Sequence, residues 1–185
     1  MCDDVKRIKC FIVDAGKWVP VLILFLLSSC VEGEKGKKQD VSSINPDSLI
    51  ILNRKLIRDD IDKIEDYLDS NGLEMEKSGT GLFYKIIKDN KGEKASPGDI
   101  AVFSYRIRGL DGHLIYSSDD GGPKTFEVDK SYVESGWNEA SKMMGQGDSA
   151  VLILPPHLAF RNIGDGNRIG PGEVLVYELR MDSLK

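Results

Sequence analysis

The hydrophobic periodicity of this chain changes at Gly79, and that change limits the folds open to it. Before Gly79, Ile57, Ile61, Ile64 and Leu68 recur at steps of four, three and four, which places them on one face of a helix. The spacing predicts a helix from about Ser48 to Ser70, with Asp47 placed to cap its start and Asn71-Gly72 to stop it. Its apolar face either packs on the domain that follows or pairs with a second copy. After Gly79 the apolar residues alternate. Ala101, Phe103, Tyr105 and Ile107 fall on one side of a strand over Ile100–Arg108, and Ser104, Arg106 and Arg108 on the other.

Further strands are predicted at Leu82–Ile87, His113–Ser117, Thr125–Val128, Ser149–Leu154 and Val174–Met181. Asp111-Gly112 is a hairpin turn signal between two of them. Trp137–Met144 is the one helical segment predicted in this half, with Trp137, Ala140 and Met144 on one face. The fold class is therefore α+β: an antiparallel sheet wrapped on one short helix, preceded by an N-terminal helix.

Composition excludes several function classes. The 25 basic residues are outnumbered by 30 acidic ones, for a net charge of −5, so a nucleic-acid partner is not expected. Two His and three Cys supply little for a metal site, and no metal is expected. Neither a G-x-x-x-x-G-K-[ST] loop nor a G-x-G-x-x-G turn opening a helix is present, so no nucleotide or other cofactor is expected.

The N-terminal segment reads as an address. Trp18–Leu27 (WVPVLILFLL) is a run of ten nearly all apolar residues behind Lys17, short for a span and suited to a signal-peptide core. Leu27-Ser28-Ser29-Cys30 resembles a bacterial lipobox, which makes Cys30 the expected lipidation site after removal of residues 1–29. Each buried CH₂ of an acyl chain adds about 0.8 kcal/mol to membrane binding, so two or three chains hold firmly. Cleavage would also remove Cys2 and Cys10, leaving no disulfide framework and no thiol chemistry. Residues 30–47, rich in charge, Gly and Ser, are expected to be anchor and flexible tether; 48–78 helix and connector; 79–185 the main domain. The implied location is the bacterial cell envelope, lipid-anchored, with the domain facing the periplasm.

Residues 79–185 resemble the FKBP family of peptidyl-prolyl isomerases. The resemblance rests on blocks in order: Gly81-Leu82-Phe83-Tyr84, Pro97-Gly98-Asp99, Leu110-Asp111-Gly112, Ser117-Ser118, Gly136-Trp137-Asn138-Glu139-Ala140, Met144-Gly145-Gln146-Gly147-Asp148, Leu154-Pro155-Pro156 and Leu175-Val176-Tyr177-Glu178-Leu179. Lipobox, tether, helix and domain together resemble the isomerase lipoproteins of Bacteroidetes, including those associated with gliding motility. The resemblance implies an FKBP-like sheet, no cofactor and proline-containing polypeptide clients. It further implies that Tyr105, Trp137, Phe160 and Tyr177 are catalytic, Trp137 being the floor under the proline ring. Ile115, Tyr116, Val133, Glu134 and Ile169 are implied to bind substrate.

Several positions depart from the family pattern. Phe160 stands for a Tyr, so a donor hydroxyl is lost. Ile115-Tyr116 replaces Phe-Asp, Glu134 replaces an apolar residue, Lys124 a wall Phe, and Ile107 and Arg161 glycines. Two functional readings follow. In the first, the chain is an isomerase that helps exported proteins fold. In the second, it is a catalytically weak or inactive chaperone or scaffold with a partner in an envelope machine. A cavity closed by Tyr116 and Glu134 over Trp137 would favour the second; an open cavity with Phe160 above it would favour the first.

Overall fold

The structure, a computed structural model, describes residues 45–185. The predicted signal, Cys30 and most of the predicted tether lie outside the described residues.

Helix α1 (Pro46–Asn71) begins two residues before the predicted start, inside the segment read as tether. Its cap is Asn45, not Asp47: the Asn45 side-chain oxygen accepts from the Asp47 backbone N–H at 3.1 Å, and Pro46 opens the first turn. Proline is tolerated there because its missing N–H would have no helical partner. The end is as the sequence implied, at Gly72 with φ 61°, the left-handed conformation glycine adopts at little cost.

Strands β1 (Glu76–Lys77), β2 (Phe83–Lys88), β3 (Ile100–Gly109), β4 (Leu114–Ser117), β5 (Lys124–Glu127), β6 (Ser149–Leu154) and β7 (Leu175–Leu184) form one antiparallel sheet in the order β1-β2-β6-β7-β3-β4. β4 and β5 share the outer edge of β3: Arg106–Arg108 pair with β4 and Ile100–Phe103 with β5. Between them Ser118–Gly121 forms a four-residue helix, α2. Helix α3 (Ser135–Met143) starts two residues before the predicted boundary.

The alternating residues read from sequence divide the two faces. Leu152, Leu154, Leu175 and Tyr177 join the inner cluster with Phe103, Trp137, Ala140 and Met144, so α3 fills the hollow of the sheet. Ile153 and Val176, one residue out of phase, face the other way. There, with Phe83 and Val174, they receive Ile61, Ile64 and Leu68 of α1. The α1 face therefore packs on the domain, and residues 45–185 belong to one compact unit. Only three of the four predicted anchors take part. Ile57 is 39% exposed and stands with Leu49, Ile50, Ile51, Leu52 and Leu56 on the solvated N-terminal half of the helix. Among the described residues no helix is long and apolar enough to cross a membrane.

The turn before β6 is built around Asp148. Its fully buried carboxylate accepts from the Asn90 N–H at 2.7 Å, the Gly145 N–H at 2.8 Å and Lys94 Nζ at 2.8 Å. Burial pushes the Asp148 pKa up, but these donors outweigh it and hold the carboxyl below its ordinary value.

Candidate active site

Trp137 anchors the site. It lies on the second residue after the α3 start, and the register of that helix is set by Gly136. A Cβ at Gly136 would come within 2.2 Å of Leu154 Cδ2 and 3.1 Å of the Leu158 carbonyl, so only glycine lets the helix approach β6 this closely. The indole is 2% exposed and packs edge-on against Phe103 (5.6 Å between centroids), Tyr105 (5.8 Å), Phe126 (5.9 Å) and Tyr177 (5.6 Å). Such edge-to-face contacts fix ring orientation and add about 0.5–1.5 kcal/mol each beyond area burial. The floor is thus rigid.

Above the indole is a cavity of about 210 Å³, lined by Tyr105 and Ile107 of β3, Tyr116 of β4, Lys124 of β5, Glu134 and Trp137 at the start of α3, and Phe160. Phe160 reaches it from the bend between two 3-10 turns, Pro156–Leu158 and Arg161–Ile163. A groove of about 420 Å³ shares Lys124, Glu134 and Phe160 with this cavity and continues over Tyr132, Val133, Ser135 and Ile163. Tyr132 and Ile163 stand largely in solvent along it.

The residues expected at the site therefore separate into three groups. Tyr105, Tyr116, Glu134, Trp137 and Phe160 meet around one cavity. Val133 lines the adjoining groove. Ile115, Ile169 and Tyr177 do not line the cavity; all three are core residues, at 3%, 3% and 1% exposure. Tyr177 pairs with Ile107 across β3 and β7, and its ring packs edge-on against Trp137 within the core. Its hydroxyl is buried with no hydrogen-bonding partner in the protein, and burial, then the nearby Glu134 and Asp165 carboxylates, push its pKa well above 10.

Neither Tyr116 nor Glu134 closes the cavity alone. The Tyr116 hydroxyl donates to the Asp165 carboxylate and accepts from Asn167 Nδ2 at 3.1 Å, while the Arg168 guanidinium lies 5.4 Å from its ring centre. The bond to Asp165 raises the Tyr116 pKa, so the phenol stays protonated. Asp165 in turn accepts from the Asn167 N–H at 2.8 Å and the Ile169 N–H at 2.9 Å. Tyr116 is therefore a fixed wall, tied to the Asp165–Ile169 loop. Asp165 was missed as a site residue; the Asp165-Gly166-Asn167 turn signal marked a loop but nothing tied it to a tyrosine 49 residues away.

Lys124, which the sequence shows only as a replacement for a wall Phe, comes over the floor itself. Its Nζ sits 5.1 Å from the centre of the Trp137 ring and 3.0 Å from Glu134 Oε2, with the two side chains 30% and 15% exposed. The aromatic wall expected at this position is replaced by an ammonium over the floor. Glu134 is also the N-cap of α3 and offers no side-chain cap; the Trp137 N–H donates to the Glu134 carbonyl at 2.9 Å, and the Ser135 and Gly136 amides ahead of it have no intrahelical partner. These amides can donate to a carbonyl held there. No group of three or more metal-ligating side chains occurs among the described residues.

An aromatic floor with walls around it is what the resemblance implied, and the comparison with known sequences agrees. The family model described as FKBP-type peptidyl-prolyl cis-trans isomerase matches residues 91–182. The FK506-binding protein 2 of Yarrowia lipolytica is 30% identical over 105 residues, which is 56% of this chain and 73% of that protein. The chain belongs to the FKBP-type peptidyl-prolyl cis-trans isomerase family. It is also 34% identical over 123 residues to a probable FKBP-type isomerase, FkpA, of Neisseria meningitidis serogroup B, covering 65% of this chain but only 44% of that one. The chain thus spans less than half of that bacterial relative's length. The crystal structure of FkpA from Escherichia coli superposes with a TM-score of 0.59 at 29% identity, over 72% of this chain and 64% of that chain. The FKBP fold is shared, and it is α+β with an antiparallel sheet and a preceding helix, as the sequence implied.

Proposed function

We propose that this chain is a peptidyl-prolyl cis-trans isomerase that assists the folding of exported proteins at the bacterial cell envelope. The observation that carries the reading is the rigid Trp137 floor beneath a cavity that Tyr116 and Phe160 flank without filling. Rotation about an X–Pro bond faces a barrier of about 18–20 kcal/mol set by amide resonance. An apolar cavity lowers it by holding the amide twisted, where resonance is already lost and water no longer favours the planar form. Trp137 takes the proline ring, Tyr105, Ile107 and Tyr116 exclude water, and the amides that open α3 donate to the client carbonyl. Phe160 supplies a ring to this wall but no donor. Anchoring through lipidated Cys30 would keep the domain close to newly exported, proline-containing chains.

A second reading, that the domain binds clients or an envelope partner with little turnover, is favoured by one observation: the Lys124 ammonium rests over the floor where a proline would lie. A protease-free prolyl isomerisation assay on the full chain in detergent separates the two. The expected outcome is acceleration above the spontaneous rate that falls at least about tenfold in Trp137→Leu, equivalent to about 1.4 kcal/mol of transition-state stabilisation. No acceleration by a protein with native circular dichroism overturns the enzyme reading in favour of the second.

A further inference from the structure

The cations around the cavity point to a choice of client. A proline ring can lie on Trp137 only if the Lys124 ammonium, 5.1 Å from the ring centre, moves aside. The moving ammonium leaves the indole face, and beside Glu134, at 15% exposure, it has only partial access to water. An apolar residue next to the proline would press on this ion pair and strip water from it, which is costly for charged groups. A carboxylate next to the proline would instead give the displaced ammonium a second partner. Adjacent Cα atoms are about 3.8 Å apart, so a neighbouring Asp or Glu side chain reaches that far.

The charge of the rim favours the same client. Arg161 lines the adjoining groove and Arg168 lies over Tyr116, and among the described residues neither guanidinium pairs with a carboxylate. Arg168 donates only to the Ile115 carbonyl, at 2.9 Å. Against Lys124, Arg161 and Arg168 stand Glu134, shared with Lys124, and Asp165, already holding Tyr116 and two backbone amides. A chain with net charge −5 thus presents a cationic mouth at this cavity.

We propose that the site selects prolines whose preceding residue is Asp or Glu, with Lys124 the residue that sets the choice. This rests on the isomerase reading and extends it to the client. The test uses the full chain in detergent and the peptides Ala-X-Pro-Phe with X as Glu, Leu or Lys. Isomerisation is read by NMR exchange, and affinity is read separately by competition with a fluorescent Glu-Pro peptide. At low salt the Glu peptide is expected to exceed the Leu peptide in kcat/KM by about three- to fivefold, the yield of one partly screened ion pair. The preference shrinks in about 1 M salt, where the Debye length falls to about 3 Å.

Lys124→Met removes the preference and raises turnover of the Leu peptide. Glu134→Gln, which leaves the ammonium without its internal partner, widens the preference, and thermal melts confirm that both variants fold. Equal handling of Glu and Leu by the unaltered chain, or a preference that survives Lys124→Met, overturns the proposal. If no peptide is isomerised, the enzyme reading fails by itself and the affinity order decides the client preference; binding of none of them overturns that too.

Discussion

The buried Tyr177 hydroxyl gives the clearest quantitative test of how the site is assembled. The ring is 1% exposed against Trp137, and its oxygen has no protein partner. Burying a hydroxyl without a hydrogen bond costs about 1–3 kcal/mol in protein mutational data. Tyr177→Phe removes that cost and keeps the ring, its 5.6 Å edge contact with Trp137 included. The oxygen's own dispersion contacts, about 0.1–0.2 kcal/mol apiece, are lost and offset part of the gain. The variant is therefore expected to be more stable by about 1 kcal/mol, and to melt about 3 °C higher for a body of this size. Urea titration of both proteins measures it: the midpoint should rise with an unchanged m-value, because the surface exposed on unfolding is the same. A loss of 0.5 kcal/mol or more would require on the order of a net-favourable hydrogen bond at that hydroxyl, and would refute the reasoning. A second readout is independent of stability. The Tyr177 phenol should resist ionisation beyond pH 10 in the folded protein, since burial and two nearby carboxylates oppose the phenolate.

Two further perturbations test what positions the site. Asp148 holds the turn from α3 to β6, and its folded pKa lies below the unfolded value, so its contribution is present above the unfolded pKa and is lost as pH falls through the folded one. Asp148→Asn should therefore cost about 1.5–3 kcal/mol at neutral pH, because the Asn90 and Gly145 amides lose a charged acceptor while Lys94, 39% exposed, keeps Asp89 as a partner. Its deficit against the unaltered protein should shrink on acidification below about pH 4, as measured by denaturant midpoints across pH. Ile64→Ala removes a fully buried side chain between α1 and the outer sheet face. It should cost about 2–5 kcal/mol in the main unfolding transition. A fall in helicity without a change in that transition would mean that α1 folds apart from the sheet.

Much of the fold was legible because it depends on local pattern. Alternation along Ile100–Arg108, the Asp111-Gly112 turn, and the helical spacing of Ile61, Ile64 and Leu68 each report a period that the backbone imposes. The inner and outer clusters follow that phase residue by residue. The errors fell at helix ends. Asn45 was overlooked because Asp47 is an equally good capping residue, and only the position of Pro46 at the first turn decides between them. At the site, Trp137, Tyr105, Tyr116, Glu134 and Phe160 were found because the family blocks keep their order. Ile115, Ile169 and Tyr177, assigned to the site by the resemblance, are buried in the inner cluster, and family order carries no information on that depth.

The sequence by itself determined the α+β class, the face of each strand and the Gly136-Trp137 pair that puts an indole at the floor. These are properties of single segments, fixed by backbone geometry over a few residues. Only the tertiary structure decided what stands above that floor. Lys124 and Glu134 are ten residues apart and on different elements, and Tyr116 and Asp165 are 49 apart. Sequence spacing carries no distance across such gaps, whereas a charge over an aromatic ring and a phenol bound to a carboxylate act only within a few ångströms. Whether Lys124 blocks the cavity or chooses its client therefore became a question only once β5 and α3 had been brought together.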